Sequence, residues 1–375
     1  MNKKLTILQT PVRFYPANGG VENHVLYLGK ELVKQGYNMN VICADGEYKD
    51  EVIEGISVRR LPSAFKFTNT NITAGLPAAL WSADFDIVHT HMPTPWSCDW
   101  SILIAKLRRK KSIVTIHNDM HKEGFFSKLV TVIYLNTAFR ISLALVDRII
   151  IVNPDWENSF VHTKQLLKTF KHKISVIENG IDTSLFVPQE QKKPYELLCV
   201  SILDKYHVFK GIDYLIEAIP AIKKIFPAIH LTIVGEGELK ETFMNQADKL
   251  GVTENITFAG YKTQEELPAY YSRSQLFILP SVDTEGYGIV LLESLACATP
   301  VVTTSIAGLS SVVQSQNLGR IVESKNPSAI ADAVVSLLSN NTSLQTMRAK
   351  ARDYIVSHYS WEHIAQQASA LYQSL

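Results

Sequence analysis

Residues 276–304 read LFILPSVDTEGYGIVLLESLACATPVVTT, and this stretch decides the fold class. It begins with a short apolar run, Leu276–Leu279, passes through a glycine-containing loop, and ends in a second apolar run, Val301–Thr303. The longer and mostly apolar segment between them, Ile289–Ala298, predicts a helix. A strand, a helix and a further strand in this order predict parallel strands joined by a crossover helix.

The same alternation of short apolar runs and amphipathic segments extends over most of the chain. In the second half, strands are predicted at Glu196–Ser201, His230–Val234 and Ile256–Phe258, and helices at Gly211–Phe226, Leu239–Leu250, Gln264–Ser272 and Pro327–Leu338. In the first half, strands are predicted at Leu5–Gln9, Met39–Cys43, Ile56–Leu61, Ile87–His89, Ser112–Ile116, Arg148–Val152 and Ser175–Ile177, and helices at Val21–Gln35 and Trp100–Lys110. Each half is therefore predicted to form a parallel sheet covered by helices.

A polar segment, Pro188–Pro194, separates the two halves and is the predicted linker. We therefore expect an α/β protein of two tandem Rossmann-like, doubly wound domains, residues 1–188 and 189–359, which face a cleft. Residues 360–375 predict a terminal helix that packs back on the first domain. Ligands of such sheets bind at the carboxyl ends of the strands, so the cleft is the expected site.

The composition excludes several classes of protein. Of the 375 residues, 46% are hydrophobic and 19% are charged, which is typical of globular proteins. The 37 basic and 36 acidic side chains give a net charge of +1, which does not favour nucleic-acid binding. Four widely spaced cysteines without a CxxC pair predict neither a disulfide framework nor a zinc site. We expect a cytoplasmic protein without a signal peptide or a membrane-spanning segment.

Two glycine-containing motifs could bind a phosphate. Gly19 and Gly20 follow the first predicted strand and open a helix, whose N-terminal N–H groups suit an anion. Lys210 precedes Gly211 at the end of the loop after the first strand of the second half, where its ammonium could neutralise a diphosphate. The alternatives are a plain tight turn for the glycines and a solvated lysine at a helix start.

Two carboxylates, Glu285 and Glu293, lie in the stretch that opens this section. Glu285 belongs to the loop, and Glu293 belongs to a helix that is otherwise apolar. A carboxylate in such surroundings needs partners, and sugar hydroxyls are strong donors to a charged acceptor. A solvated helix face is the alternative for Glu293.

Histidines follow two predicted strands of the first half: His89 and His91, and then His117 and His121. Structural roles are the ordinary expectation for isolated histidines, and we assign them to His89 and His91. His117 is the exception, because it could reach the reacting phosphate or sugar.

Taken together, these motifs resemble glycosyltransferase family 4, the retaining glycosyl transferases of group 1, which have the GT-B fold. The resemblance covers nearly the whole chain. It rests on Gly19-Gly20-x-Glu22, Thr115-Ile116-His117-Asn118, Asn179-Gly180-Ile181-Asp182, Lys210-Gly211, Gly235-Glu236-Gly237 and the pair Glu285 and Glu293 around Gly-Ile-Val.

The resemblance implies a role for each matching residue. The expected catalytic residues are His117 beside the transferred sugar, Glu285 on its hydroxyls and Lys210 on the diphosphate. The expected donor-binding residues are Gly19, Gly20, Lys205, Gly260, Tyr261, Gly286, Tyr287, Gly288, Ile289, Val290 and Glu293, with Glu293 on the ribose and Tyr261 near the base. Glu22, His24 and Asn118 are expected on the acceptor side. The arginine that the family commonly has near Ser201 is missing, and Lys205 is the nearest candidate to replace it.

The implied reaction moves a sugar from a nucleotide-diphosphate sugar, with uridine or guanosine as the base, to a glycan or lipid-linked acceptor. It would belong to the synthesis of cell-surface polysaccharides or glycoconjugates and would require no metal or other cofactor. The alternatives are a nucleotide-sugar epimerase or hydrolase of the same fold, and a non-catalytic sugar-nucleotide-binding module. A Rossmann oxidoreductase is disfavoured because the N-terminal loop is not GxGxxG.

The apolar segment 124–146 and the basic residues of 106–111 form a surface that could touch anionic lipid headgroups. On this hypothesis the protein is peripheral on the inner face of the membrane. A core helix beside a solvated helix end is the alternative.

Overall fold

A computed structural model describes residues 4–17, 19–67, 70–120, 125–189, 192–283, 285 and 287–375. The chain forms two compact units: unit 1, Met1–Gly180 with Trp361–Leu375, and unit 2, Ile181–Ser360. The predicted boundary after residue 188 is therefore wrong. Ile181 and Phe186 are buried in a core of unit 2, and Lys192 of the predicted linker is half-buried, with its ammonium donating to the Thr299 hydroxyl. Gln189 and Lys192, described residues of this segment, are hydrogen-bonded to Ser272 and Tyr271 of unit 2.

Unit 1 is built on a sheet that is parallel except at one edge. The strands that the structure describes in this unit are β1 (Thr6–Thr10), β2 (Asn38–Cys43), β3 (Lys49–Ile53), β4 (Ile56–Arg60), β5 (Phe65–Phe67), β6 (Thr70–Ile72), β7 (Ile87–Met92), β8 (Lys111–Ile116), β9 (Arg148–Ile151) and β10 (Ile174–Val176). The main sheet has the order β10-β9-β8-β7-β1-β2-β4-β3, with β3 antiparallel to β4, and β5 pairs with β6 apart from it. β1, β7 and β8 are almost entirely buried, as expected for parallel strands covered on both faces.

Helices cover both faces of this sheet. They are α1 (Gly20–Lys34), α2 (Leu76–Ser82), α3 (Pro95–Leu107), α4 (Phe125–Asn136), α5 (Ala138–Leu145), α6 (Trp156–Ser159), α7 (Lys164–Thr169) and, at the end of the chain, α15 (Trp361–Gln373). α15 packs on α1, and its Trp361, Ile364 and Tyr372 join the core that α1 forms with β1 and β2. The terminal helix thus belongs to unit 1.

Unit 2 has a fully parallel sheet with the order β13-β12-β11-β14-β15-β16. Its strands are β11 (Glu196–Val200), β12 (His230–Val234), β13 (Ile256–Gly260), β14 (Leu276–Leu279), β15 (Val301–Thr304) and β16 (Gly319–Val322). Its helices are α8 (Ile212–Ile225), α9 (Lys240–Lys249), α10 (Leu267–Arg273), α11 (Ile289–Ala296), α12 (Ser310–Gln316), α13 (Pro327–Ser339) and α14 (Asn341–Tyr359). In order along the chain its strands lie 3-2-1-4-5-6, which is the arrangement of the doubly wound Rossmann sheet. The predicted fold class of each half is confirmed.

One apolar segment of unit 1 bears on the expectation that no segment is able to span a membrane. Ser127–Leu145 is long and apolar enough to cross a membrane by length and composition. It is not one continuous helix, because α4 ends at Asn136 and α5 begins at Ala138. Most of the segment is not buried, and Leu129, Val132, Ile133 and Ile141 are exposed.

Candidate functional site

Both sheets reverse their strand order at a point that carries predicted site residues. In unit 2 the reversal lies between β11 and β14, and in unit 1 it lies between β1 and β7. Loops diverge to opposite faces of a doubly wound sheet at this point and leave a crevice at the carboxyl ends of the strands. Lys210 follows β11 and Glu285 follows β14, while Gly19 and Gly20 follow β1.

Lys210 and Glu285 form an ion pair in unit 2. The ammonium of Lys210 donates to Glu285 Oε2, and the hydroxyl of Ser281 donates to the same carboxylate over 3.1 Å. Only 16% of the Lys210 side chain and 8% of the Glu285 side chain are exposed. A buried pair of this kind is expensive to break from one side only, so each side chain holds the other in place.

Gly211 allows Lys210 to approach this loop. Its φ of 69° lies in the left-handed region, and a Cβ at this position would collide with the carbonyl oxygen of Pro280. The neighbouring backbones are joined by a 2.7 Å hydrogen bond from the Val282 amide to the Phe209 carbonyl. The Lys-Gly motif therefore brings the loops after β11 and β14 into contact.

Glu293 is buried in α11 and has one polar partner in the described part of the protein. The hydroxyl of Tyr271 in α10 donates to Glu293 Oε2 over 2.6 Å. Burial raises the pKa of Glu293 from 4.5 to about 7, although the hydrogen bond from Tyr271 opposes this shift. Glu293 is thus poised between its neutral and charged forms at physiological pH, which is unusual for a carboxyl group.

The other donor-binding candidates divide into exposed and buried side chains. Lys205 is 61% exposed, and its ammonium lies 3.9 Å from Glu238. Tyr261 is 66% exposed and follows Gly260, whose φ is 74°. Tyr287 is buried in a core of unit 2. Ile289 and Val290 are partly buried and pack against the same core. Gly288 has a φ of 80° and precedes α11, while Gly286 lies outside the described residues.

In unit 1, Gly19 is the N-cap of α1 and Gly20 is its first residue. A Cβ at Gly19 would collide with the carboxylate of Glu22, whereas Gly20 has no atom near enough to meet one. Glu22 is buried and accepts a 2.8 Å hydrogen bond from Arg13. The glycines therefore leave room at the helix N-terminus for Glu22 and for a close ligand.

His24, His91 and His117 form a buried cluster in unit 1. His91 Nδ1 lies 3.1 Å from His117 Nε2, and the rings of His24 and His117 meet edge to face at 4.8 Å. His89 stacks on His91 at 4.7 Å. Burial lowers the pKa of His24 to about 4, that of His89 to about 3, and those of His91 and His117 well below 6.5. These imidazoles are therefore neutral at physiological pH.

The sequence analysis ended this strand at His89 and placed His91 after it, and this was wrong. β7 continues to Met92, so both residues lie within it. Side chains alternate along a strand, and residues two apart share a face, which explains why His89 and His91 stack. His91 contacts His117 directly.

Asn118, the remaining acceptor-side candidate, is exposed, and its neighbour Asp119 has a structural role. The Asp119 carboxylate accepts hydrogen bonds from the amides of Val161, His162 and Thr163 and from the Thr163 hydroxyl. It therefore links the segment after β8 to the start of α7. His121 lies outside the described residues.

Sequence reasoning missed several partners of the predicted site residues. They are Tyr271 and Ser281 in unit 2, and Gln9, His91 and Asn179 in unit 1. Ser281 lies two residues after the end of β14 and could have been found from its position. No sequence pattern indicated that Tyr271 faces Glu293, because this contact depends on how α10 packs on α11.

Two family models match this chain. The model described as Glycosyltransferase Family 4 matches residues 18–185, and the model described as Glycosyl transferases group 1 matches residues 181–354. The chain therefore belongs to glycosyltransferase family 4 and is a glycosyltransferase, with one model matching each half of its GT-B fold.

Named relatives share this family. The chain is 32% identical over 200 residues to the GDP-mannose-dependent alpha-(1-6)-phosphatidylinositol monomannoside mannosyltransferase of Mycobacterium tuberculosis, and the match spans 50% of this chain and 52% of that protein. It is 28% identical to the glycogen synthase of the same species, over 94% of this chain and 91% of that one. It is 26% identical to the phosphatidyl-myo-inositol mannosyltransferase of Propionibacterium freudenreichii, over 94% and 91%.

The solved structure of HepE from Anabaena in complex with UDP has the same fold. It superposes with a TM-score of 0.76 at 16% sequence identity, and the match covers 100% of both chains. At this identity the likeness shows the fold alone.

Proposed function

We propose that this glycosyltransferase moves a sugar from a nucleotide-diphosphate sugar to a lipid-linked or glycan acceptor with retention of anomeric configuration. The observation that carries the proposal is the buried pair of Lys210 and Glu285 at the switch point of unit 2. This pair places a cation for phosphate oxygens beside an acceptor for sugar hydroxyls.

Each group in unit 2 has a part in this proposal. Lys210 and the backbone N–H groups that open α11 stabilise the diphosphate as it gains charge. Glu285 accepts hydrogen bonds from the sugar, and Glu293 accepts them from the ribose. The bond between the anomeric carbon and the diphosphate oxygen breaks, and a bond to the acceptor oxygen forms on the same face. The acceptor proton passes to the departing diphosphate.

No metal is needed in this scheme, because Lys210 and the N–H groups neutralise the leaving group. Chelation with EDTA should leave the transfer rate unchanged within experimental error. A rate that falls on chelation and returns with a divalent cation would contradict this part of the proposal.

Product analysis tests the proposal directly. The full-length protein is incubated with a UDP-sugar or a GDP-sugar and with acceptor lipids or glycans, and the products are identified by mass spectrometry and NMR. A new glycoside with the anomeric configuration of the donor is expected. Free sugar alone would indicate a hydrolase, an altered donor would indicate an epimerase, and binding without turnover would indicate a binding module.

A lipid-linked acceptor and an anionic membrane surface are supported by the outer face of unit 1. Four apolar side chains are exposed on this face, which are Leu129, Val132 and Ile133 on α4 and Ile141 on α5. Exposed apolar surface of this kind is typical of a site that contacts a membrane or another protein. Two of the relatives named above are phosphatidylinositol mannosyltransferases by name. A helix pair of this kind suits the interface of a bilayer.

A cavity of about 510 Å³ adjoins the same face. Val132 and Leu135 of α4 line it together with Lys128 and Arg140, and neither cation forms an ion pair with the described residues. A lining that combines apolar and polar side chains with these two cations suits the phosphate of an anionic lipid headgroup. We therefore propose that the protein is cytoplasmic and binds the inner face of the membrane through α4 and α5.

Flotation with vesicles tests this membrane contact. The wild-type protein should float with phosphatidylglycerol vesicles at low salt and much less with phosphatidylcholine vesicles. K128Q with R140Q should lose most of this binding, whereas K249Q, on an exposed helix of unit 2, should retain it. Equal flotation of all three proteins, or none, would overturn the proposed contact.

A further inference from the structure

Three neighbouring strands of unit 1 bring Gln9, His91 and His117 into a hydrogen-bonded row. Gln9 lies in β1, His91 lies in β7, and His117 directly follows β8. All three side chains are buried. His91 Nε2 lies 3.0 Å from Gln9 Oε1, and His91 Nδ1 lies 3.1 Å from His117 Nε2.

The row assigns a position to each ring proton. Gln9 turns Oε1, and not its amide nitrogen, toward His91 Nε2, and because a carbonyl oxygen can only accept a hydrogen bond, this orientation puts a proton on His91 Nε2. A neutral imidazole has a single N–H group, so His91 Nδ1 is unprotonated. It therefore accepts a hydrogen bond from the N–H group at His117 Nε2. His117 is also neutral, and its Nδ1 is therefore unprotonated. His117 Nδ1 makes no hydrogen bond with the described residues.

The neighbouring histidines are held in separate contacts. His24 Nδ1 lies 2.9 Å from Asn179 Oδ1 and donates a hydrogen bond to it. Because a neutral imidazole has a single N–H group, Nε2 of His24 is unprotonated. His89 contacts the Tyr372 hydroxyl and the Thr115 hydroxyl through its two nitrogens. The row of Gln9, His91 and His117 therefore has His24 and His89 at its sides but shares no hydrogen bond with them.

We propose that Gln9 and His91 are positioning residues that hold His117 as its Nε2–H tautomer and leave Nδ1 as an acceptor for a hydroxyl group of the substrate. The hydrogen bond from a substrate hydroxyl to Nδ1 rests on the proposed sugar transfer, whereas the tautomer of His117 does not depend on it. A neutral acceptor suits this reaction, because positive charge builds on the anomeric carbon as the bond to the diphosphate breaks. An imidazolium close to that carbon would repel the charge.

A metal ion is the competing occupant of this cluster. His24, His91 and His117 offer one ligand nitrogen each, and these atoms lie within 4.8 Å of one another. His91 Nδ1 and His117 Nε2 share a hydrogen bond, so a metal held by these two atoms would have to displace the proton between them. The geometry favours a shared proton over a metal.

Two variants of His91 distinguish the loss of its hydrogen bonds from the loss of its packing in the core. H91L removes both hydrogen bonds, so His117 is free to exchange between its tautomers. H91Q restores them, because its amide can donate to Gln9 and its carbonyl can accept from His117. We expect kcat to fall by about tenfold in H91L with little change in the KM for donor, and to recover mostly in H91Q.

The tautomer is read by NMR of the full-length protein with isotope-labelled histidine, and H117Q identifies the His117 signals. The wild-type protein and H91Q should show the Nε2–H form of His117, and H91L should show a mixture. An Nδ1–H form in the wild type, or equal loss of kcat in H91L and H91Q with an unchanged tautomer, would overturn the inference. Stoichiometric zinc that is bound by the wild type and lost in H91L would also overturn it. The NMR result stands even if no sugar transfer is found.

Discussion

At the scale of single residues, the side chains of unit 2 that carry the proposal are buried and paired with one another. Lys210 and Glu285 hold each other, and Tyr271 holds Glu293. Their positions depend on these pairs, so a substitution that removes one partner also disturbs the other. Isosteric changes therefore test function better than truncation to alanine.

The variant E285Q removes the negative charge but keeps the shape of the side chain. We expect kcat/KM for transfer to fall at least about 100-fold, or about 3 kcal/mol, because the sugar hydroxyls and Lys210 lose a charged acceptor. Steady-state kinetics measure the loss. E254Q, at an exposed glutamate of unit 2 outside the site, is the control and should retain activity. Equal rates in wild type and E285Q would remove Glu285 from the site.

The variant E293Q should change how stability depends on pH. Burial raises the pKa of Glu293 from 4.5 to about 7, so the folded protein binds this proton more tightly than the unfolded chain. Wild-type stability should therefore fall as pH rises through this window, and E293Q should lack that part of the fall. Chemical unfolding of the full-length protein at several pH values measures the free energy of unfolding of unit 2, and E254Q, at an exposed glutamate, is the control. Parallel pH profiles for wild type and E293Q would contradict the raised pKa.

At the scale of elements, the loops after β11 and β14 meet because glycine lies between them. Gly211 and Gly251 have nearly the same φ, 69° and 67°, but only Gly211 faces a neighbouring backbone. G251A should cost about 1 kcal/mol of stability from the left-handed conformation alone. G211A should cost clearly more, because its Cβ would also meet the Pro280 carbonyl. Thermal unfolding of the two variants measures the difference, and equal costs would show that the two loops separate easily.

The sequence predicted most of these elements, since buried parallel strands and amphipathic helices have distinct patterns. β12 and β14 have the predicted bounds. β3 was missed because its five residues, Lys49–Ile53, are mostly charged, as suits an edge strand. α14 was missed because its amphipathic pattern is weak, although Leu344, Met347 and Ile355 are buried.

The site was predicted in part for the same reason. Strand ends and glycine loops are visible in the sequence, and they located Lys210, Glu285 and His117. Contacts between elements are not visible there, and Tyr271 on Glu293 and His91 on His117 depend on them. The roles of the individual side chains stay predictions until they are measured.

At the scale of the whole molecule, the chain returns to unit 1 after it completes unit 2. Trp361–Leu375 belongs to unit 1, and Ile364 is buried in the core with α1. I364A should therefore destabilise unit 1 by about 2–4 kcal/mol. Hydrogen exchange should show faster opening in α1 and β1 and unchanged protection in β11 and β14. V356A, at a partly exposed position of α14, is the control, and faster exchange throughout both units would contradict the division.

The central claim is that the switch point of unit 2 binds the diphosphate of the donor. Calorimetric titration of the full-length protein with UDP and with GDP tests it most directly. One of the two should bind to the wild type with a stoichiometry of one, and K210M should weaken this binding at least about tenfold while K249M leaves it unchanged. Equal affinity for wild type and K210M, or no binding of either nucleotide, would contradict the account.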